Sequence, residues 1–251
     1  MNETILKVEE IHTFIGKHHI LQGVSFEARA DAATILIGRN GAGKSTTLRT
    51  VMGLLPPSQG KIFYNGIEIH KKKPFEIARI GISFVPEDRE IFENLTVEEN
   101  MKVAILNEKA IKSQRIEWIY GLFPDIKRFW KAKAATLSGG QKQMLAIARG
   151  IVNNPALLLI DEPVKGLAPI IVKALIDVIK QIKEHSVVIL VEQNLYMAIS
   201  VGDYFYIMDS GFVVRSGLIE ELACDEGLKS RYLGISNKEE TYLMKKEGSF
   251  K

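Results

Sequence analysis

Residues 38–46 read GRNGAGKST, and this glycine-rich stretch decides the fold that we predict for the chain. It fits the pattern G-x-x-x-x-G-K-[ST], in which glycines let successive backbone N–H groups point at one anion. A short apolar run at 34–37 precedes it, and apolar residues at helical spacing follow it between 45 and 55. A strand, a phosphate-binding loop (P-loop) and a helix are therefore predicted in that order. The predicted nucleotide-binding residues of the loop are Gly38, Arg39, Asn40, Gly41, Ala42, Gly43, Lys44, Ser45 and Thr46.

Two residues of this loop have specific predicted roles toward a nucleoside triphosphate. Lys44 is expected to reach the β- and γ-phosphates, while the following helix adds the positive end of its dipole. The Ser45 hydroxyl is expected to coordinate Mg²⁺. The loop thus predicts ATP and Mg²⁺ as the cofactors of the protein.

A pair of carboxylates follows a second apolar run. Residues 157–160 read LLLI and lead directly into Asp161 and Glu162. Ligands of open α/β sheets bind at the carboxyl ends of the strands, where this pair is predicted to lie. Asp161 is expected to hold the Mg²⁺ shell and Glu162 to polarise the attacking water. The alternative is an acidic strand end that faces solvent.

The composition is that of an ordinary globular protein. Hydrophobic residues make up 46% and charged residues 25% of the 251 residues. A formal net charge of +3 is too balanced to indicate nucleic acid, and we expect no nucleic-acid partner. A single cysteine, Cys224, excludes an internal disulfide. No apolar run approaches the ~18–20 residues of a membrane span.

Short apolar runs alternate with helical patterns along the chain. Strands are predicted at 34–37, 82–85, 157–160 and 187–191, with a helix at 170–183 between the last two. Such alternation indicates an α/β fold with a parallel sheet covered on both faces. Hairpins are predicted at 61–69 and 204–216, and helices dominate 96–135, where residues 96–99 form a capping box. Another amphipathic helix is predicted at 144–152, and Pro56 is expected to end the helix at 45–55.

The segment 137–141 reads LSGGQ and lies just before the helix at 144–152. A serine and two glycines at a helix N-terminus make a second anion site. Because one triphosphate does not need two such sites in one subunit, we interpret this one as capping the ATP of a partner chain. Alone, the pattern is also typical of an ordinary helix cap. The predicted nucleotide contacts here are Ser138, Gly139, Gly140 and Gln141.

The order GRNGAGKST, LSGGQ and LLLIDEP resembles the ABC ATPases, and the resemblance covers about residues 4–235. It implies a P-loop NTPase with a RecA-like core, an N-terminal antiparallel β subdomain and an inserted helical subdomain at about 90–150. These would form one domain over 1–238, followed by a polar tail at 239–251. The resemblance also implies a head-to-tail dimer, homomeric or heteromeric, in which each ATP lies between one P-loop and the partner's LSGGQ.

Within that family the chain looks most like the ATPase subunits of high-affinity branched-chain amino-acid importers. The matching segments are 84–100, 143–149, 166–171 and 191–194. This implies a motor at the cytoplasmic face of the membrane, with two permease subunits and, through them, an extracytoplasmic solute-binding protein. A urea or amide importer is an alternative, and a soluble ABC ATPase without a transport role is a less favoured one.

Two positions that the family uses near the γ-phosphate carry unusual residues. Glu87 stands where most ABC ATPases have a glutamine, and we expect it to be a Mg²⁺ ligand. Gln193 stands where most have a histidine, and we expect it to contact the γ-phosphate as a catalytic residue that cannot change charge with pH.

The adenine contact and the loop after the carboxylate pair also depart from the family pattern. Ile15 occupies the position that usually holds a tyrosine, with Phe14 one residue earlier. Either Phe14 stacks on adenine or Ile15 provides only an apolar contact, since neighbours on a strand face opposite ways. Ala168 replaces the aspartate that usually crosses the dimer.

Overall fold

Two β-sheets organise the chain, in a computed structural model that describes residues 3–106 and 114–233. The first is a four-stranded antiparallel sheet with the strand order β2-β1-β4-β5. Its strands are β1 (Thr4–Ile15), β2 (His18–Arg29), β4 (Gln59–Tyr64) and β5 (Ile67–Glu68). The predicted hairpin between β4 and β5 is confirmed. It turns at Asn65 and Gly66, which have φ angles of 47° and 75°, as a type I′ turn requires.

The second sheet has six strands in the order β10-β9-β3-β8-β7-β6. Strands β3, β6, β7, β8 and β9 run parallel, and β10 pairs antiparallel with β9 as the predicted C-terminal hairpin. The strands are β3 (Ala33–Ile37), β6 (Ile82–Val85), β7 (Leu157–Asp161), β8 (Val187–Glu192), β9 (Tyr204–Asp209) and β10 (Phe212–Leu218).

The central strands β3, β7 and β8 are buried on both faces, as predicted, whereas the edge strand β10 is mostly exposed. In β3, Ile35 and Ile37 pack into one apolar cluster with residues of the helices, whereas Leu36 points into a second cluster. That second cluster includes side chains of the antiparallel sheet and of the helix after the P-loop. Each fully buried aliphatic side chain contributes roughly 1.5–3 kcal/mol. This double cover fixes the position of the strand ends, where β3 and β7 deliver the P-loop and the carboxylate pair.

The helix after the P-loop, α1 (Lys44–Val51), is shorter than predicted. We expected Pro56 to end it, but Gly53 ends it earlier. Gly53 has a φ of 71°, and the Leu54 N–H bonds back to the Arg49 carbonyl at 2.9 Å. A left-handed glycine just past the last turn is a common helix stop, and it takes effect before the proline is reached.

Among the described residues between β6 and β7, four α-helices fall within the region where we predict the helical subdomain. They are α3 (Val97–Ala104), α4 (Gln114–Leu122), α5 (Pro124–Arg128) and α6 (Gly139–Ile151). The predicted capping box is present, because the Thr96 hydroxyl accepts from the Glu99 N–H and the Glu99 carboxylate accepts from the Thr96 N–H. Helix α6 begins five residues before the predicted Met144, since Ser138 caps it directly.

The remaining helices cover the sheet and the C-terminal part of the described chain. They are α2 (Pro74–Arg79), α7 (Pro169–Lys183), α8 (Leu195–Val201), α9 (Ile219–Cys224) and α10 (Glu226–Leu228), followed by a π-helical turn at Lys229–Leu233. No helix within residues 3–106 and 114–233 is long and apolar enough to cross a membrane. The predicted tail at 239–251 lies outside the described residues, and the domain boundaries stay predictions.

Candidate nucleotide-binding site

The P-loop connects the end of β3 to the start of α1. Gly43 is the N-cap of α1 and has a φ of 102°. A Cβ atom at this position would lie 2.8 Å from Cδ2 of Leu21, so that both backbone conformation and space require glycine. The unpaired N–H groups of the first turn of α1 are thereby held at the mouth of the loop, where they favour an anion.

Lys44 lies inside this loop and is only 4% exposed. Its Nζ donates to the carbonyl oxygens of Gly38 and Arg39, at 2.9 and 3.1 Å, and lies 3.3 Å from Oε1 of Glu162. A buried ammonium group needs such partners, because leaving it unpaired costs several kcal/mol. The P-loop lysine and the predicted catalytic carboxylate are therefore in contact.

Asp161 forms the second contact between the two motifs. It ends β7 in full burial, and its Oδ1 accepts a hydrogen bond from the Ser45 hydroxyl at 2.9 Å. Its other oxygen, Oδ2, has no hydrogen-bond partner among the described residues. Burial raises the pKa of Asp161 to about 6, although the bond from Ser45 acts in the opposite direction. A cation at this position would compensate both the unpaired oxygen and the desolvated charge.

These donors are typical of a Mg²⁺ site that is completed by water and phosphate, and not of a metal centre built from protein side chains alone. No group of three or more His, Cys, Asp or Glu side chains in the described part of the chain is arranged to hold a metal ion. Mg²⁺ commonly takes one or two carboxylates, several waters and the phosphates of a substrate. Ser45, Asp161 and Glu87 offer a donor set of this type.

Glu162 adopts an unusual backbone conformation directly after β7. Its φ is 43°, and its N–H donates to the Val191 carbonyl at 2.9 Å. A left-handed non-glycine residue costs about 1–3 kcal/mol and is frequent at functional sites. The bend separates its side chain from that of Asp161 and places it between Lys44, at 3.3 Å, and Lys165, at 3.6 Å.

Lys165 is a charged member of the site that the sequence analysis did not assign. Its Nζ forms an ion pair with Glu87 and a longer one with Glu162. The hydrogen bond to Glu87 raises the pKa of Lys165, with smaller contributions from the charges of both glutamates. The three-residue spacing between Glu162 and Lys165 is the one sequence signal that pointed to this contact, whereas Glu87 comes from a different strand end.

A cleft of about 530 Å³ joins these groups. Ile15 and Ile20 provide its apolar wall, but Phe14 is not part of its lining. The Phe14 ring stacks instead on His19, with ring centroids 4.2 Å apart and planes 5° from parallel. The geometry therefore favours Ile15 over Phe14 as the base contact. The polar and charged lining consists of Asn40, Gly41, Gly43, Lys44, Ser45, Thr46, Glu87, Glu162 and Lys165.

The LSGGQ residues do not line the cleft of their own chain. Ser138 caps α6, since its hydroxyl accepts from the Gln141 N–H at 3.3 Å and its own N–H donates to Oε1 of Gln141 at 2.9 Å. Gln141 in turn donates to Asp125 at 2.9 Å. Ser138 and Gly139 are exposed, whereas Gly140 is buried. The structure thus presents the cap of α6 on the surface, away from its own P-loop cleft.

Gln193 is exposed and does not line the cleft either. Its N–H donates to Oε2 of Glu192 at 3.1 Å, and the Asn194 N–H donates to the same oxygen at 3.0 Å. Glu192 is almost fully buried, and burial raises its pKa to about 8. The sequence analysis missed Glu192, although a charged residue at the end of an apolar strand was a signal.

Comparisons with known proteins agree with this site. A family model described as "ABC transporter" matches residues 21–165, which is more than half of the chain. The high-affinity branched-chain amino acid transport ATP-binding protein BraG of Pseudomonas aeruginosa is 38% identical over 232 residues, covering 92% of this chain and 100% of that protein. The probable branched-chain amino acid transport ATP-binding protein LivF of Archaeoglobus fulgidus is 35% identical over 92% of this chain and 99% of its own length.

A transport protein of a different kind is also similar. The lipopolysaccharide export system ATP-binding protein LptB of Haemophilus influenzae is 31% identical over 92% of this chain and 98% of its own length.

Solved structures share the fold. A nucleotide-free ATP-binding cassette from an ABC transporter superposes with a TM-score of 0.80 at 23% identity, over 93% of this chain and 100% of that one. A dimeric cassette in a post-hydrolysis state with ADP and phosphate superposes with a TM-score of 0.76 at 23% identity, over 86% of this chain and 99% of that one. These structures confirm the predicted P-loop NTPase fold. Together with the family match and the relatives, they show that the chain belongs to the ABC transporter family, as an ATP-binding subunit with the ATPase activity of that family.

Proposed function

We propose that this chain is the ATP-hydrolysing motor subunit of an importer for branched-chain amino acids. The observation that carries the hydrolytic part is the meeting of two distant motifs at one cleft. Ser45 bonds to Asp161 and Lys44 contacts Glu162, across more than 110 residues of sequence. The amino-acid substrate class is supported by the resemblance to BraG and LivF.

The P-loop binds and orients the triphosphate in this proposal. Backbone N–H groups at the start of α1 and the Lys44 ammonium receive the β- and γ-phosphates. The phosphate oxygens replace the present partners of Lys44, which are two carbonyls and Glu162. Ile15 and Ile20 pack against the base as the apolar wall of the cleft.

Glu162 is the proposed general base. Once Lys44 binds phosphate, the Glu162 carboxylate is free to accept a proton from a water that is directed at the γ-phosphate. Ser45, Asp161 and Glu87 would hold Mg²⁺, which supplies charge neutralisation on the phosphate oxygens when it is bound. Gln193 reaches the γ-phosphate only after a rearrangement, because it does not line the cleft.

A second ATPase subunit completes each site. Ser138 and Gly139 are exposed at the N-terminus of a 13-residue helix, outside their own cleft. In the proposed head-to-tail dimer, identical or heteromeric, residues 138–141 cap the ATP that is bound to the partner's P-loop. The anion preference of a helix N-terminus supports this assignment.

The transport part of the proposal places the dimer at the cytoplasmic face of the membrane. There it acts on two permease subunits, which in turn receive solute from an extracytoplasmic binding protein. Closure of the dimer on ATP and reopening after hydrolysis would move the permeases. No nucleic acid takes part in this proposal.

Hydrolysis is tested with Glu162→Gln. We expect the variant to bind ATP at least as tightly as the wild type, to lose at least about 100-fold in turnover, and to form an ATP-dependent dimer in gel filtration. Glu184→Gln, at an exposed position in the turn before β8, is the matched control and should hydrolyse ATP normally. Normal turnover in Glu162→Gln would contradict the role of Glu162.

The transported solute is tested by uptake in cells that carry the complete transporter. Uptake of labelled leucine should disappear in Lys44→Ala, which leaves every other subunit in place. If urea uptake depends on Lys44 and leucine uptake does not, the urea or amide alternative holds. Loss of a surface lipid with both uptakes intact would favour the export role named for LptB, and no transport change at all would favour a soluble, non-transport ATPase.

A further inference from the structure

Lys165 is a second lysine of the cleft, and it is far more exposed than Lys44. It lies in the loop between β7 and α7, three residues after Glu162, and its side chain lines the cleft together with Lys44 and Ser45. It is 55% exposed, whereas Lys44 is 4% exposed. Its ammonium is therefore held at the cleft surface by ion pairs and is not fixed by burial.

Both ion-pair partners of Lys165 have other tasks in the proposed reaction. Glu87 is the proposed cation ligand, and Glu162 is the proposed base. The four charged side chains that line the cleft are Lys44, Lys165, Glu87 and Glu162, so that their formal charges cancel. When a triphosphate enters, its terminal phosphate competes with both glutamates for Lys165, and Glu87 would then be available to hold the cation.

We propose that Lys165 is a second lysine ligand of the γ-phosphate, which exchanges its ion pairs with Glu87 and Glu162 for the terminal phosphate when ATP binds. This inference rests on the function proposed above and names one more residue that touches the substrate. The exchange releases Glu162 for the water and Glu87 for the cation in the same step. No covalent bond changes, and the ammonium keeps its proton throughout.

The geometry predicts which nucleotide Lys165 distinguishes. Lys44 sits inside the P-loop and is expected to contact the β-phosphate, which ATP and ADP share, as well as the γ-phosphate. Lys165 contacts Glu162 and Glu87, which are the proposed base and cation ligand, and both of these roles are exercised at the γ-phosphate. Loss of its charge should therefore weaken binding of a triphosphate and leave binding of ADP nearly unchanged.

The test compares Lys165→Met with the wild type for Mg²⁺-bound AMP-PNP, which is not hydrolysed, and for Mg²⁺-bound ADP, by isothermal titration of the full chain. A hydrogen bond between charged groups at a partly exposed site corresponds to about a tenfold change in affinity. We expect that loss for AMP-PNP, less than a twofold change for ADP, and recovery in Lys165→Arg. Lys7→Met removes an ion pair of similar exposure on β1, and it should change neither affinity.

Three results would overturn the inference. Equal losses for AMP-PNP and ADP would show that Lys165 acts on the cleft as a whole, no loss would show that it does not touch the phosphate, and tighter AMP-PNP binding would show that it only blocks the site. A partly unfolded variant lowers the number of binding sites but not the ratio of the two affinities. Failure of the wild type to hydrolyse ATP would refute the proposed function, whereas a hydrolysing wild type with Lys165→Met equal to Lys7→Met refutes this inference alone.

Discussion

Glu192 makes the stability of the free subunit depend on pH, and the dependence can be worked from its surroundings. The carboxyl group is 2% exposed at the end of β8, and its Oε1 has no hydrogen-bond partner among the described residues. Burial raises its pKa from an ordinary 4.5 to about 8, even though the backbone N–H groups of Asn194, Gln193 and Val164 act in the opposite direction. The folded chain therefore holds a proton on Glu192 at neutral pH, where the unfolded chain does not.

The sign of the effect follows from proton linkage. Between pH 4.5 and 8 the folded state binds one more proton than the unfolded state, so the free energy of unfolding falls by about 1.4 kcal/mol per pH unit. Over this window the loss is on the order of 5 kcal/mol. The stabilisation is complete below pH 4.5 and is lost as the pH rises through the folded pKa. Glu192→Gln removes the titration and keeps the shape of the side chain.

The assay measures the free energy of unfolding in urea for the wild type and Glu192→Gln without nucleotide, at several pH values between 5 and 9. Circular dichroism monitors the unfolding. We expect similar stabilities at pH 5 and a growing advantage of Glu192→Gln toward pH 9. Glu184→Gln, which removes an exposed carboxylate, should keep the wild-type slope. Parallel curves for the wild type and Glu192→Gln would refute the reasoning, because they would mean that Glu192 titrates alike in both states.

Three further predictions follow from single contacts. Gln193→Ala should lower ATP turnover by at least about tenfold while ATP affinity changes little, because a lost γ-phosphate contact acts on the transition state; near-normal steady-state turnover would remove Gln193 from the mechanism. Ile15→Tyr should strengthen ATP binding about two- to tenfold in titration calorimetry, since an aromatic stack contributes about 0.5–1.5 kcal/mol, and an unchanged affinity would place the base away from Ile15. Asn100→Ala should lower the free energy of unfolding by about 2–4 kcal/mol, because the buried amide bonds to both backbone groups of Phe92 and to the Thr96 carbonyl; a loss below about 0.5 kcal/mol in urea unfolding would contradict this.

The sequence by itself determined the features that depend on local conformation. A glycine with a left-handed φ before a helix, a Thr96 capping box and an Asn65-Gly66 turn are set by residues within a few positions of each other, so that their patterns are readable without the fold. The buried strands were also predictable, because short apolar runs such as LLLI that alternate with helical patterns are typical of a doubly covered parallel sheet. Even the contact between Ser45 and Asp161 was foreseeable in outline, since the parallel strands of one sheet all carry their carboxyl ends at the same edge, although β8 lies between β3 and β7.

Only the tertiary structure decided which side chains share the cleft. Phe14 and Ile15 are adjacent on β1, and the sequence left open which of them meets the base; the packing of Phe14 on His19 turns Ile15 toward the P-loop. The ion pair between Lys165 and Glu87 joins residues that are 78 positions apart in the sequence. The burial of Glu192 depends on the elements that pack over the end of its strand. Such contacts are set by how the layers are stacked, and no local pattern carries that information.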